Sequence, residues 1–199
     1  MKTFIDRKKV MSDLSEIINS NKDVVTLIDL LKDFPTYHSV SLTGGAILDI
    51  LKCEKPKDYD LTTNVPEDLM CYFFDRGAKL LYVSSTAITM KYEELQIQIL
   101  KTSRNQFDFT INQGRFNLGK ISNYNTTNQT RLSEFDYVSY LSEISIPTEH
   151  SFKNKVCTLR INKIKNKGFK VPSITKRAIL KPSLLTKFKN VFSKNKGES

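Results

Sequence analysis

Tryptophan is absent from this 199-residue chain, histidine occurs twice and cysteine three times. The histidines, His38 and His150, stand far apart, which argues against a zinc centre. Cys53, Cys71 and Cys157 show no Cys-x-x-Cys spacing and are odd in number, so no disulfide framework is expected. No apolar run reaches the length of a membrane span, and the amino terminus (MKTFIDRKKVMSDLSEI) has no apolar core of signal-peptide type. The expectation is a cytoplasmic protein that does not enter a membrane. Acids are nearly missing from one end. Residues 151–199 hold 14 Lys and Arg against one acid, Glu198, whereas residues 1–150 hold 17 Lys and Arg against 20 acids. Of the net charge of +10, about +13 therefore lies at the back and about −3 in front. Apolar content of 39% and charged content of 26% are ordinary for a globular chain and exclude wholesale disorder. The split suggests a folded body with a basic arm aimed at a polyanion, with a merely solvated tail as the bland alternative.

Periodicity divides the front half into alternating elements. KKVMSDLSEIINS and DVVTLIDLLKDF carry apolar residues at helical spacing, with Asp23 placed to cap the second. HSVSLT alternates as a short strand and runs into Gly44-Gly45, after which GAILDILK has the length of a two-turn helix. KDYDLTT reads as a strand. PEDLMCYFFDRG opens with Pro66 at a first helical position and stops at Gly77. KLLYV, TAITMKY and LQIQILKT read as strands, the last two a hairpin turning at Glu93-Glu94. From Gly114 to Thr130 the chain is polar and Asn/Thr-rich, a loop by composition. Helical patterns resume over LSEFDYVSYLSEI, FKNKVCTLRINKIKNKGF and ITKRAILKPSLLTKFKNVF, with Pro182 breaking the last.

The chemistry concentrates in SLTGGAILDILKCEKPKDYDLTT. In a strand alternate side chains share a face, so Asp58 and Asp60 project together while Tyr59 points away. Such a carboxylate pair suits Mg²⁺, which takes few carboxylates plus substrate phosphates. Gly44 and Gly45 let the backbone approach a triphosphate, and Ser41 and Thr43 offer hydroxyl donors. Each feature alone is weak, because a Gly-Gly pair is usually a turn and an Asp-x-Asp usually solvated surface.

In order and spacing, LTGGAILDILKCEKPKDYDLTTNVPEDL resembles the head-domain signature of tRNA nucleotidyltransferases (CCA-adding enzymes) and bacterial poly(A) polymerases. FDFTIN, from Phe107 to Asn112, is similar to that family's Arg-Arg-Asp-Phe-Thr-Ile-Asn segment, and LRINKIKNKGFKV resembles its Arg-rich helix ending in Gly-Phe. The resemblance spans roughly residues 40–171. It implies a polymerase-β-type nucleotidyltransferase working with two Mg²⁺ ions and an NTP substrate. Asp58 and Asp60 would be catalytic metal ligands, and Thr43, Gly44, Gly45, Asp108, Asn112, Arg160 and Lys163 would bind the nucleotide. Lys165, Lys167, Lys170, Lys176 and Arg177 would grip RNA phosphates. The chain departs from the pattern at Leu48, where the family has Arg, and at Gln106 and Phe107, where it has two more. Gln96 or Gln98 stands where a third carboxylate is common, and no Glu-Asp-x-x-Arg stretch is present.

The expected fold class is α+β: a mixed sheet flanked by helices, with a C-terminal helical, basic annex. The expected division is a head domain over 1–130 with amino-terminal helices at 8–33, the annex over 131–192, and a disordered tail over 193–199. The expected function is transfer of a nucleoside monophosphate to an acceptor hydroxyl, foremost a tRNA-like 3′ end. Alternatives are a weak or inactive nucleotide- or RNA-binding relative and a transferase acting on a protein or small molecule. Oligomerisation stays open.

Overall fold

The computed structural model describes residues 6–35, 39–101, 109–118, 132–148 and 158–172. Two helices lead, α1 (Arg7–Asn19) and α2 (Lys22–Leu30). Asn21, not Asp23, caps α2: its side-chain oxygen accepts from the backbone N–H groups of Asp23 at 3.1 Å and Val24 at 3.2 Å. Asp23 lies two residues past the cap position, as the second residue of the helix. Its carboxylate instead accepts a hydrogen bond from the Tyr59 hydroxyl.

Strand β1 (Val40–Thr43) passes through Gly44 into α3 (Gly45–Leu51), and β2 (Tyr59–Thr63) follows. Helix α4 (Pro66–Asp75) begins at Pro66 and ends just ahead of Gly77, whose φ of +89° turns the chain into β3 (Lys79–Val83). The hairpin of β4 (Ala87–Tyr92) and β5 (Leu95–Leu100) turns where expected, with Glu93 at φ +51°. After a 3₁₀ turn over Thr110–Gln113 come β6 (Arg115–Asn117), β7 (Leu132–Ser133), α5 (Tyr137–Ser142) and α6 (Thr158–Asn166).

The strands form one sheet in the order β3-β4-β5-β2-β1-β6-β7. Only β2 and β5 pair in parallel, so the sheet is mixed, as expected. Its register sorts side chains into rungs. One rung reads Ile88, Ile99, Leu61, Leu42, Phe116, Leu132, every member buried. The next reads Thr89, Gln98, Asp60, Thr43, Arg115, Ser133. Adjacent rungs face opposite sides of a pleated sheet. The apolar rung joins the core cluster with Leu14 and Ile18 of α1, Leu27 of α2, Ile47 of α3, and Leu69 and Phe73 of α4. The polar rung faces the other way and carries the candidate site.

Two further expectations change. Arg115–Asn117, read within a loop, is strand β6. Three residues carry no visible period, and they become a strand because β1 offers its free edge to Asn117, Phe116 and Arg115. Leu132 and Ser133, read as the start of a helix, pair with β6, and the helix begins only at Tyr137. The boundary expected at 130/131 thus falls between strands of one sheet, and Leu132, Phe135, Ile164 and Phe169 belong to the same core cluster as the helices of the front half. The Asn/Thr-rich stretch over 119–131, the last expected helix and the tail lie outside the described residues. Among those described, no helix is long and apolar enough to cross a membrane. Cys53 and Cys71 are free thiols.

Tyr59, 1% exposed, is the one polar anchor that sheet strand β2 sends toward the helices. Burial, followed by the neighbouring Asp23 carboxylate, pushes its hydroxyl well above the usual tyrosine range, so it stays protonated and donates to that carboxylate. Tyr59→Phe strands the Asp23 carboxylate beside the core and is expected to lower stability by about 1–2 kcal/mol in urea unfolding. An unchanged midpoint would show that this bond contributes nothing.

Candidate active site

Asp58 stands immediately before β2 and Asp60 is its second residue, so the period of two puts both carboxylates on the polar face. Gln98 pairs with Asp60 in the β2–β5 register, and its amide donates to Asp58 Oδ2 at 3.3 Å. Of the two glutamines considered for the third acidic position, Gln98 is therefore the one beside the pair. An amide holds Asp58 in place but cannot add negative charge or accept a proton as a carboxylate does.

Gly44 accounts for how close Asp60 comes to the start of α3. It adopts φ +75°, ψ −145°, and a Cβ there would lie 2.7 Å from Asp60 Oδ2. The space a side chain would occupy is filled by the carboxylate. Gly45 repeats the arrangement with a cation, since its missing Cβ lies 3.3 Å from Lys167 Nζ. Lys167 donates to the Gly45 carbonyl at 3.2 Å and to Asp49 Oδ1, an ion pair in which both side chains are largely buried. The two glycines thus admit the chain's own charged groups to the end of β1.

Burial and, next, the neighbouring Asp58 raise the Asp60 pKa from 3.8 to about 6, against the partial opposition of Lys163 and Lys167. Thr43 is fully buried and its hydroxyl donates to the Asp60 carbonyl at 3.3 Å, so this hydroxyl ties β1 to β2. Asn112 lies in the 3₁₀ turn that packs on α3, and its side-chain oxygen, like the Thr110 hydroxyl, is buried with no hydrogen-bond partner among the described residues. A buried acceptor left in that state costs about 1–3 kcal/mol, which a ligand donor would relieve. Asp108 lies outside the described residues, as do Lys176 and Arg177.

Helix α6 brings up the basic side chains. Arg160, Lys163 and Lys165 are exposed on it, and Lys170 is exposed just beyond. Lys167, grouped in the sequence with the RNA-gripping lysines, turns inward instead because the chain reverses at Gly168, φ +84°. A set of contacts holds this end of α6 on α3. Lys52 donates to the Lys167 carbonyl and lies 4.6 Å over the Phe169 ring, while the Tyr140 hydroxyl of α5 donates to the Leu51 carbonyl at 3.1 Å and so ties α5 to the same end of α3. Leu48 is fully buried, so position 48 lies on the core face of α3 and not toward Asp49 and Lys167. Asp49, Lys52 and the inward course of Lys167 escaped sequence reasoning. The available signal was Asp49 four residues after Gly45, one helical turn along the same face.

The donor set fits a hard divalent cation that shares its shell with phosphates: two adjacent carboxylates whose mutual repulsion raises one proton affinity. Among the described residues no group of three or more His, Cys, Asp or Glu side chains comes together as an all-protein metal cage.

Two outcomes follow from this packing. Gly44→Ala combines a strained φ with a clash on Asp60 and is expected to cost about 1–3 kcal/mol in denaturant unfolding while displacing the carboxylate. Asp60 has a folded pKa above its unfolded one, so its contribution to stability is full below about pH 4 and is lost as pH rises through about 6. Without added metal, Asp60→Asn is expected to be more stable than the parent by about 1–2 kcal/mol near pH 8, the gain disappearing by about pH 4. A pH-independent difference would contradict this.

No family model matches the chain, and no curated protein matches it in sequence. Solved structures do. A CCA-adding enzyme bound to CTP superposes with a TM-score of 0.64 at 19% identity, covering 91% of this chain and 47% of that one. The Thermotoga maritima CCA-adding enzyme complexed with tRNA gives 0.62 at 20% identity, over 84% of this chain and 43% of that one. A CCA-adding enzyme bound to ATP gives 0.62 at 17%, over 89% and 46%. The chain spans slightly under half the length of these proteins. Its α+β fold, a seven-stranded mixed sheet flanked by helices, is the fold found in CCA-adding enzymes.

Proposed function

We propose that the chain is a metal-dependent nucleotidyltransferase that moves a nucleoside monophosphate from an NTP to an acceptor hydroxyl, with an RNA 3′ end as the acceptor. The observation that carries this reading is the Asp58/Asp60 pair, set on the polar sheet face with Asp60 packed into the gap at Gly44. A surface Asp-x-Asp has no need of that enclosure. In the reaction the acceptor oxygen bonds to the α-phosphorus as the bond from that phosphorus to the bridging oxygen breaks. Pyrophosphate leaves with the electron pair, and the hydroxyl proton passes to water. Asp58 and Asp60 would hold Mg²⁺, which when bound neutralises charge on the phosphate oxygens.

The chain's residues have separate tasks. Gln98 orients Asp58 through its amide. The Asn112 oxygen, beside α3 and without a partner among the described residues, is suited to a nucleotide donor group, and Asp108, Gly44 and Gly45 complete the nucleotide side of the reading. Arg160, Lys163, Lys165 and Lys170, with Lys176 and Arg177 farther along the chain, would meet acceptor phosphates. Such contacts position RNA without reading its sequence. The CTP, ATP and tRNA held by the structurally similar enzymes support these choices of substrate and acceptor.

Gln98 favours one competing reading. With an amide in place of a third acid, the site would bind nucleotide and turn it over slowly or not at all. The deciding experiment incubates the purified protein with Mg²⁺, each α-labelled NTP and total RNA, beside an Asp58→Ala/Asp60→Ala variant. Label is expected in RNA, and the variant is expected to fall by at least about a thousandfold. Label on protein, separated from RNA on the same gel, would move the acceptor. Nucleotide binding without transfer would leave a binding module in place of the enzyme.

A further inference from the structure

Lys167 is set apart from the other basic residues of α6 and its surroundings. Its side chain is 12% exposed and its partner Asp49 16%, whereas Arg160, Lys163, Lys165 and Lys170 are exposed. Burying an ammonium requires a partner, and Asp49 supplies one. The pair is not the sole tie of α6 to α3, because Ile164 and Phe169 join the core there and Lys52 reaches the Lys167 carbonyl and the Phe169 ring. A buried ion pair is moreover a poor source of stability, since apolar replacements are often neutral or better. Its position is more informative. The ammonium sits against Gly45, one residue from the glycine that admits Asp60. An ammonium has three donors. Asp49 and the Gly45 carbonyl take two, leaving one for an oxygen entering beside the carboxylates.

We propose that Lys167 contacts a phosphate oxygen of the bound nucleotide and that Asp49 is its positioning residue, so the cation on this wall of the site comes from α6 and not from α3. The inference rests on the nucleotidyltransferase reading above and names the residue that meets the triphosphate. Leu48 shows why α3 does not provide the charge: its position lies in the core, and an arginine there would have to leave it. A Cβ at Gly45 would stand 3.3 Å from the ammonium and press it a few tenths of an ångström out of place.

The test uses the full chain with Lys167→Gln, Lys167→Arg and Asp49→Asn. Gln keeps a donor for Asp49 and removes the charge, Arg keeps the charge, and Asn loosens the tether. Three quantities are read: affinity for tripolyphosphate in EDTA by calorimetry, KM and kcat for NTP, and melting temperature. Lys167→Gln is expected to weaken tripolyphosphate binding and raise KM by about ten- to a hundredfold with kcat nearly unchanged, while Lys167→Arg restores most of both. Asp49→Asn is expected to fall between them. The proposal is overturned if Lys167→Gln lowers the melting temperature but binds tripolyphosphate as the parent does, the result for a purely structural tie. If the parent binds tripolyphosphate but transfers nothing, the transferase reading fails while the binding comparison still decides Lys167. If the parent binds neither tripolyphosphate nor NTP, both readings fall.

Discussion

Everything about the site depends on the parity of one pairing, the register of β2 between β1 and β5. With Leu61 opposite Leu42 and Ile99, an unbroken apolar rung meets the helices, and the neighbouring rung must then present Asp60 and Gln98 on the far face. Slipping β2 by a single residue would drive Asp60 into the core and lift Leu61 out. Charges of that kind are not tolerated in a core without partners, so packing itself enforces the position of the carboxylates. The geometry of the carboxylate pair and hydrophobic burial are one constraint seen from two faces of the sheet.

Against that background, the polar side is assembled under tension. Asp58 and Asp60 repel one another, Asp60 is partly desolvated, and the Asn112 oxygen is buried without a partner among the described residues. These features oppose stability in the empty protein and are the sort that a ligand carrying positive charge and donors would offset. The opposing contributions come from the apolar rung and from the close fit at Gly44 and Gly45.

Much of this was legible in the sequence wherever the cause is local. The shared face of Asp58 and Asp60 follows from strand period, the limits of α4 from Pro66 and Gly77, and the β4–β5 hairpin from its alternation. What escaped depends on partners distant in the chain. Strand β6 exists because β1 has an open edge, Asp23 is claimed by Tyr59 from β2, and Lys167 turns inward toward Asp49, 118 residues away. A run of lysines with helical spacing looks uniformly solvated until the reversal at Gly168 sends one of them the other way. Resemblance placed the glycines against a phosphate. Their packing adds a second reason for them, as room for a carboxylate and an ammonium of the chain itself.

The join between α3 and α6 has a consequence for divergence. Lys52 and the Tyr140 hydroxyl both address main-chain carbonyls, those of Lys167 and Leu51. Carbonyls are present whatever side chain a residue carries, so these two bonds make no demand of their own on the side chains of Lys167 and Leu51 while α5 and α6 stay docked on α3. What these two bonds hold to particular residues is their donors, Lys52 and Tyr140. A wall joined in this way can exchange its charged groups one at a time, which is how a site can keep its shape after the sequence that once furnished its charges has changed.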